Sequence, residues 1–179
     1  EKRDWVEYCH IPTYTPDGLK TGHKYYFAIE VDEPGFTWGD AYIRILRDGG
    51  DWVRQCVEKA AECDGVMQFN CSSGKDRTGI FAAILLAIAG VEKWDIVADY
   101  CVSQSYLEPS FEKKFPDFST EDRSKNTSIR FAFTDPNNMF AAMDYIENEF
   151  GGIDAYLTGR CGVKPEVIEK IREKFIEKE

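Results

Sequence analysis

Phe69-Asn70-Cys71-Ser72-Ser73-Gly74-Lys75-Asp76-Arg77-Thr78-Gly79 is the stretch that most constrains what this chain can become. The run Val66-Met67-Gln68-Phe69 leads into it, and Ile80 to Ala89 leads out with apolar residues nearly all round. That pattern predicts a short buried strand, a tight polar loop and a buried helix. A cysteine opens the loop and an arginine closes it, with five residues between. The rest of the chain reads as support for that loop.

Around it, the chain shows alternating signals. Trp5 to Pro12 and Tyr25 to Val31 read as two strands separated by the turn Thr15-Pro16-Asp17-Gly18, a β-hairpin or a neighbouring pair. A helix is expected from Asp40 to Leu46, and a second one through Ala61 with Asp51 as its N-cap. After Gly90 a helix is expected from Lys93 to Ser105, stopping before Pro109. Ser110 to Arg130 is polar and irregular, with Phe111, Phe115 and Phe118 interspersed, and reads as a connector or a lid. Asp135-Pro136 opens a helix closed by Gly151-Gly152, whose Met139 and Met143 read as core, and Pro165 opens the last one. The fold class expected is α/β, a small and mainly parallel sheet flanked by helices, with the loop between a strand and a helix. All 179 residues are expected to form one domain.

Composition narrows the function. An apolar fraction of 43% with 14% aromatics is that of a globular chain. A net charge of −10 argues against general affinity for nucleic acid or anionic membrane, so an anionic substrate would need a local positive site. No apolar run is long enough to span a bilayer. No signal peptide is expected from these residues, and without an initiator Met the removal of a leader or of a longer N-terminal portion is left open. The six cysteines show no C-x-x-C pair, and only His10 and His23 could join them as ligands. Neither a metal nor a cofactor is expected, and reduced thiols in a cytoplasmic setting are favoured over a disulfide framework, with secretion left open.

The loop suits phosphate chemistry. A phosphate ester is hydrolysed in two displacements when a thiolate attacks phosphorus, given donors for the equatorial oxygens, an acid for the leaving group and an activated water. A loop at a helix N-terminus points backbone N–H groups into its concavity and lowers a thiol pKa from about 8.5 into the range of roughly 3.5–7.5. Cys71 at the strand end places its sulfur on the floor of that cradle. Gly74 permits the turn, and Arg77 offers a planar fork for two phosphoryl oxygens. Thr78 can hydrogen-bond the sulfur, and Lys75 adds a second cation on the rim. A Walker-type nucleotide loop fails, because Asp76 follows Gly74-Lys75 and no glycine stands at Phe69.

Asn70-Cys71-Ser72-Ser73-Gly74-Lys75-Asp76-Arg77-Thr78-Gly79 resembles the signature of the cysteine-dependent protein-tyrosine phosphatases. More narrowly it is similar to the atypical bacterial and fungal branch that reads H-C-x-x-G-K-D-R-T-G. Ala98-Asp99-Tyr100, Gly152 to Leu157 and Gly162-Val163 extend the likeness, which covers about Trp38 to Phe175. The resemblance implies Cys71 as nucleophile, Arg77 as phosphate clamp and Asp76 as general acid. It implies Ser72, Ser73, Gly74, Lys75, Thr78 and Gly79 as the substrate-binding cradle, with Lys75 broadening substrates toward phosphoinositides. The implied partner is a phosphotyrosine protein or a phosphoinositide, hydrolysed without a metal.

The chain departs from that pattern in two places. Asn70 stands where the branch has His, and the branch's N-terminal F-R-D-L-G-G motif is absent. Trp38-Gly39-Asp40 also resembles the W-P-D loop of ordinary tyrosine phosphatases, which leaves Asp40 open as a rival acid or as a helix cap. The resulting expectation is a protein-tyrosine phosphatase working through a phosphocysteine. The alternatives are a phosphoinositide phosphatase on the same site, or a catalytically weak pseudophosphatase that binds phosphorylated partners.

Overall fold

The computed structural model describes residues 4–13, 37–114 and 133–175. Seven α-helices and a π-helical turn make up its regular structure: α1 (Trp38–Asp48), α2 (Gly50–Glu62), α3 (Asp76–Ile88), α4 (Lys93–Lys114), α5 (Pro136–Phe150), α6 (Ile153–Ala155), the π turn (Tyr156–Arg160) and α7 (Pro165–Phe175).

The parallel sheet expected from the sequence is not there: no strand occurs among the described residues. The lead-in to the loop does keep a period of two, with Met67 and Phe69 half-buried and Val66, Gln68 and Asn70 exposed. A helix completes its own hydrogen bonds, whereas a strand exists only through a neighbour's ladder. Trp5 to Pro12, the nearest candidate neighbour, runs as irregular chain with Trp5 and Tyr8 exposed. Tyr25 to Val31 and the turn before it lie outside the described residues. Val66, expected to be buried, is fully exposed.

The helix α3 sits at the centre. It is apolar all round, buries Ile80, Phe81, Ala83, Ile84, Leu85 and Ile88, and packs against α2, α4, α6 and α7. A helix without a polar face has no other place to go. The most extensive helix pair among the described residues is α1 with α5, which brings Tyr42, Ile45 and Leu46 against Met139 and Ile146 in one continuous core. Two C-terminal cations tie the ends together. Arg172 of α7 donates to the Ile88 carbonyl at 3.0 Å, and Lys174 donates to the Ala61 carbonyl at 2.6 Å, satisfying the orphan carbonyls of α3 and α2.

Helix starts and stops follow local chemistry. Thr37 caps α1 through a reciprocal box with Asp40, and Asp135 caps α5 ahead of Pro136, which closes on Gly151 at φ 80°. Two expectations are corrected. Gly49, not Asp51, caps α2, and Asp51 lies in the first turn, paired with Arg54 at 2.9 Å. The helix α4 does not stop before Pro109 but runs through it to Lys114. The proline removes the N–H that the Ser105 carbonyl would accept, and Ser105 is exposed, so water can take that place. The rest of the expected lid, from 115 to 130, lies outside the described residues.

Candidate active site

The loop from Cys71 to Lys75 connects an extended segment to the N-terminus of α3. Phe69 fastens the incoming chain by standing edge-on to Phe81 of α3, with ring centroids 4.8 Å apart. The first turn of α3 leaves backbone donors and positive potential at the loop. Gly74 takes a left-handed φ of 67°, the conformation that lets the loop fold back toward the helix.

Cys71 is half-buried. Burial would push its thiol up, but the Thr78 hydroxyl, the backbone N–H groups of Thr78 and Ser73 and the Arg77 guanidinium outweigh it and bring the thiol down to about 7. Thr78 Oγ1 is buried with no hydrogen-bond partner of its own among the described residues, and it lies close enough to the thiol to favour the thiolate. Elsewhere burial prevails: it pushes Cys56 up to about 12, and Cys161 up to about 11 against the opposing pull of the Tyr156 hydroxyl and Arg160. All six cysteines are free.

Cys71, Ser72, Arg77 and Thr78 face a cleft of about 450 Å³. The N-terminal segment supplies one wall of it, including His10 and Thr13. Thr13 is buried, and its Oγ1 lies 3.5 Å from an Arg77 terminal nitrogen. Asn70, in the place of the expected histidine, turns its amide to the Cys71 carbonyl at 3.3 Å. Ser72, Ser73 and Gly74 are exposed at the loop tip.

Lys75 turns inward, and Asp76 beside it keeps one oxygen on a buried tyrosine. Lys75 is not on the rim as expected; only 3% of it is exposed. Its ammonium donates to the Phe133 carbonyl at 3.3 Å and lies 3.5 Å from Asp76 Oδ1. Burial pulls it below its ordinary value, against the opposing pull of Asp76. Asp76 Oδ1 accepts from Tyr42 Oη at 2.6 Å, and Tyr42 Oη is 2.8 Å from Tyr100 Oη. Burial, then the neighbouring Asp76, holds the Tyr42 phenol well above its ordinary value, so it stays a neutral donor.

Gly79 occupies a place in the packing. Its N–H donates to the Lys75 carbonyl at 2.8 Å within the helix, and an added Cβ would stand 2.9 Å from the Tyr100 ring. Asp40 is engaged in its capping box, where Oδ2 accepts from Thr37 N at 3.0 Å and Thr37 Oγ1 at 2.7 Å. Neither Asp40 nor Asp76 lines the cleft at Cys71.

A sequence profile of the tyrosine phosphatase family matches residues 3–177. The chain belongs to that family. A tyrosine-protein phosphatase of Nostoc commune is similar to it, 45% identical over 71 residues that make up 39% of this chain and 24% of the relative. A Cupriavidus necator protein whose name assigns it provisionally to the tyrosine-protein phosphatases is 36% identical over 66 residues, 37% of this chain and 22% of that protein. The matched stretch spans less than a quarter of the length of these relatives.

Within this family member the sequence pattern did not reveal Tyr42, Tyr100 and Thr13 as neighbours of the loop. A signal for the first existed. Tyr42 shares the apolar face of α1 with Ile45 and Leu46, and a phenol placed in a core needs a polar partner somewhere in the fold.

Proposed function

We propose that this chain is a cysteine-dependent phosphomonoester hydrolase acting on phosphotyrosine in proteins. The observation that supports it most is the Cys71 thiol drawn down to about 7 beside Arg77 at the start of a buried helix. In the first step the Cys71 thiolate attacks phosphorus, the P–O bond to tyrosine breaks, and Asp76 gives a proton to the departing phenolate. Backbone N–H groups of the loop and the Arg77 fork hold the equatorial oxygens as charge builds on them. In the second step Asp76 takes a proton from water, water oxygen bonds to phosphorus, and the P–S bond breaks. Thr78 stabilises the thiolate that leaves, and inorganic phosphate departs.

Trapping a phosphocysteine on Cys71 by rapid acid quench, with 4-nitrophenyl phosphate turnover abolished in Cys71→Ser, tests this reading. Phosphopeptide binding without a trapped intermediate would instead favour the weak, phosphate-binding pseudophosphatase that Asn70 motivates. The phosphoinositide reading loses support from the burial of Lys75, whose ammonium is engaged inside the fold.

A further inference from the structure

Two contacts fall on the same oxygen of Asp76. Tyr42 Oη stands 2.6 Å from Oδ1, and Lys75 Nζ stands 3.5 Å from it. The tyrosine has little freedom to do otherwise. It is fully buried, its ring meets Tyr100 edge-on with centroids 6.0 Å apart, and its hydroxyl is 2.8 Å from that of Tyr100. Tyr100 is only 3% exposed and is hydrogen-bonded in turn to Asn138 of α5. Gly79 lets this ring approach, since a side chain there would collide with it. A row of buried hydroxyls from α4 and α1 therefore ends on one carboxylate oxygen in the first turn of α3. The Asp76 side chain keeps 31% of its surface exposed, and both of these contacts fall on Oδ1 rather than Oδ2.

We infer that Tyr42, backed by Tyr100, is a positioning residue that makes Oδ2 of Asp76 the oxygen through which protons pass. This rests on Asp76 being the general acid. A carboxyl group whose Oδ1 accepts from a fixed hydroxyl carries its own proton on Oδ2, because a proton on Oδ1 would meet the phenol proton head-on. In the first step that Oδ2 proton moves to the leaving oxygen as the P–O bond breaks. In the second, Oδ2 takes a proton from the attacking water while Oδ1 remains held. The helix that begins with Trp38-Gly39-Asp40 thus serves the reaction through Tyr42 rather than through Asp40.

The experiment compares kcat and KM for a good leaving group, 4-nitrophenyl phosphate, and a poor one, phenyl phosphate, in wild type, Tyr42→Phe, Tyr100→Phe and Asp76→Asn. A poor leaving group needs the acid; a good one scarcely does. General acids contribute about 10²–10⁴-fold, so Tyr42→Phe is expected to lose about tenfold in kcat/KM, which reports P–O cleavage, on phenyl phosphate, while kcat/KM on 4-nitrophenyl phosphate stays nearly unchanged. Tyr100→Phe changes the same ratio in the same direction by less, and it carries the test should Tyr42→Phe fail to fold. If Asp76→Asn shows no leaving-group selectivity, the general-acid reading falls and this inference with it. If Asp76→Asn is selective but Tyr42→Phe and Tyr100→Phe lower kcat/KM for both substrates alike, the tyrosines are only structural and this inference alone is overturned.

Discussion

Lys75 donates to the carbonyl of Phe133, a residue 58 positions further along the chain, and so pins the Cys71–Lys75 loop to the segment that enters α5. A cation engaged in this way holds the loop's shape and does not reach outward for a second phosphate. Lys75→Ala is therefore expected to lower turnover of a phosphotyrosine peptide and of a phosphoinositide by the same factor. It should also lower stability by about 1–3 kcal/mol through the unsatisfied partners it leaves. Ratios of kcat/KM, with a urea melt, check both. A selective loss on the lipid headgroup would show that the ammonium contacts substrate after all.

The thiol at Cys71 titrates at about 7. Its folded value is depressed, so the thiolate dominates above pH 7 and declines about tenfold per unit below it. Iodoacetamide labelling of Cys71, followed by peptide mass spectrometry, should show that midpoint. Thr78→Val removes a hydroxyl that favours the thiolate and is expected to move the midpoint upward. A midpoint unchanged in Thr78→Val would remove Thr78 from the stabilisation of the sulfur.

Asp40 is engaged with Thr37. Asp40→Asn is expected to leave the pH–rate profile unaltered while costing up to about 1 kcal/mol of stability from the weakened capping box. Loss of the limb that reports the acid would instead make Asp40 the proton donor and remove Asp76 from that role.

Gly79→Ala pushes a methyl group to 2.9 Å from a Tyr100 ring that is itself fixed between Tyr42 and α3. Overpacking of this kind costs about 1–3 kcal/mol. The urea midpoint should fall while the slope stays the same. Unchanged stability would mean that α4 yields at Tyr100 more readily than its buried setting suggests.

Much of the helical frame was legible in the residues themselves. Asp135-Pro136 and Gly151 mark both ends of α5, and the all-round apolar run after Gly79 marks α3, because caps and periodicity act within a few residues. The sheet was misread for the opposite reason. Val66 to Phe69 has the alternation of a strand, but the pairing that makes one depends on chain far away in sequence. Pro109 misled in a smaller way: a proline disfavours a helix, yet an exposed turn tolerates it.

The sequence by itself determined the loop: a cysteine and an arginine at the entrance of a helix with no polar face, with the glycine and threonine that such a turn requires. It also determined the family, since that signature survives without any knowledge of packing. Only the tertiary structure decided which way each loop side chain turns. Lys75 went inward to Phe133, and Asp76 went to Tyr42, because buried polar groups must find partners and those partners lie 58 and 34 residues away. Local spacing cannot encode such pairings. They arise when Tyr42 of α1 and the chain entering α5 meet the start of α3.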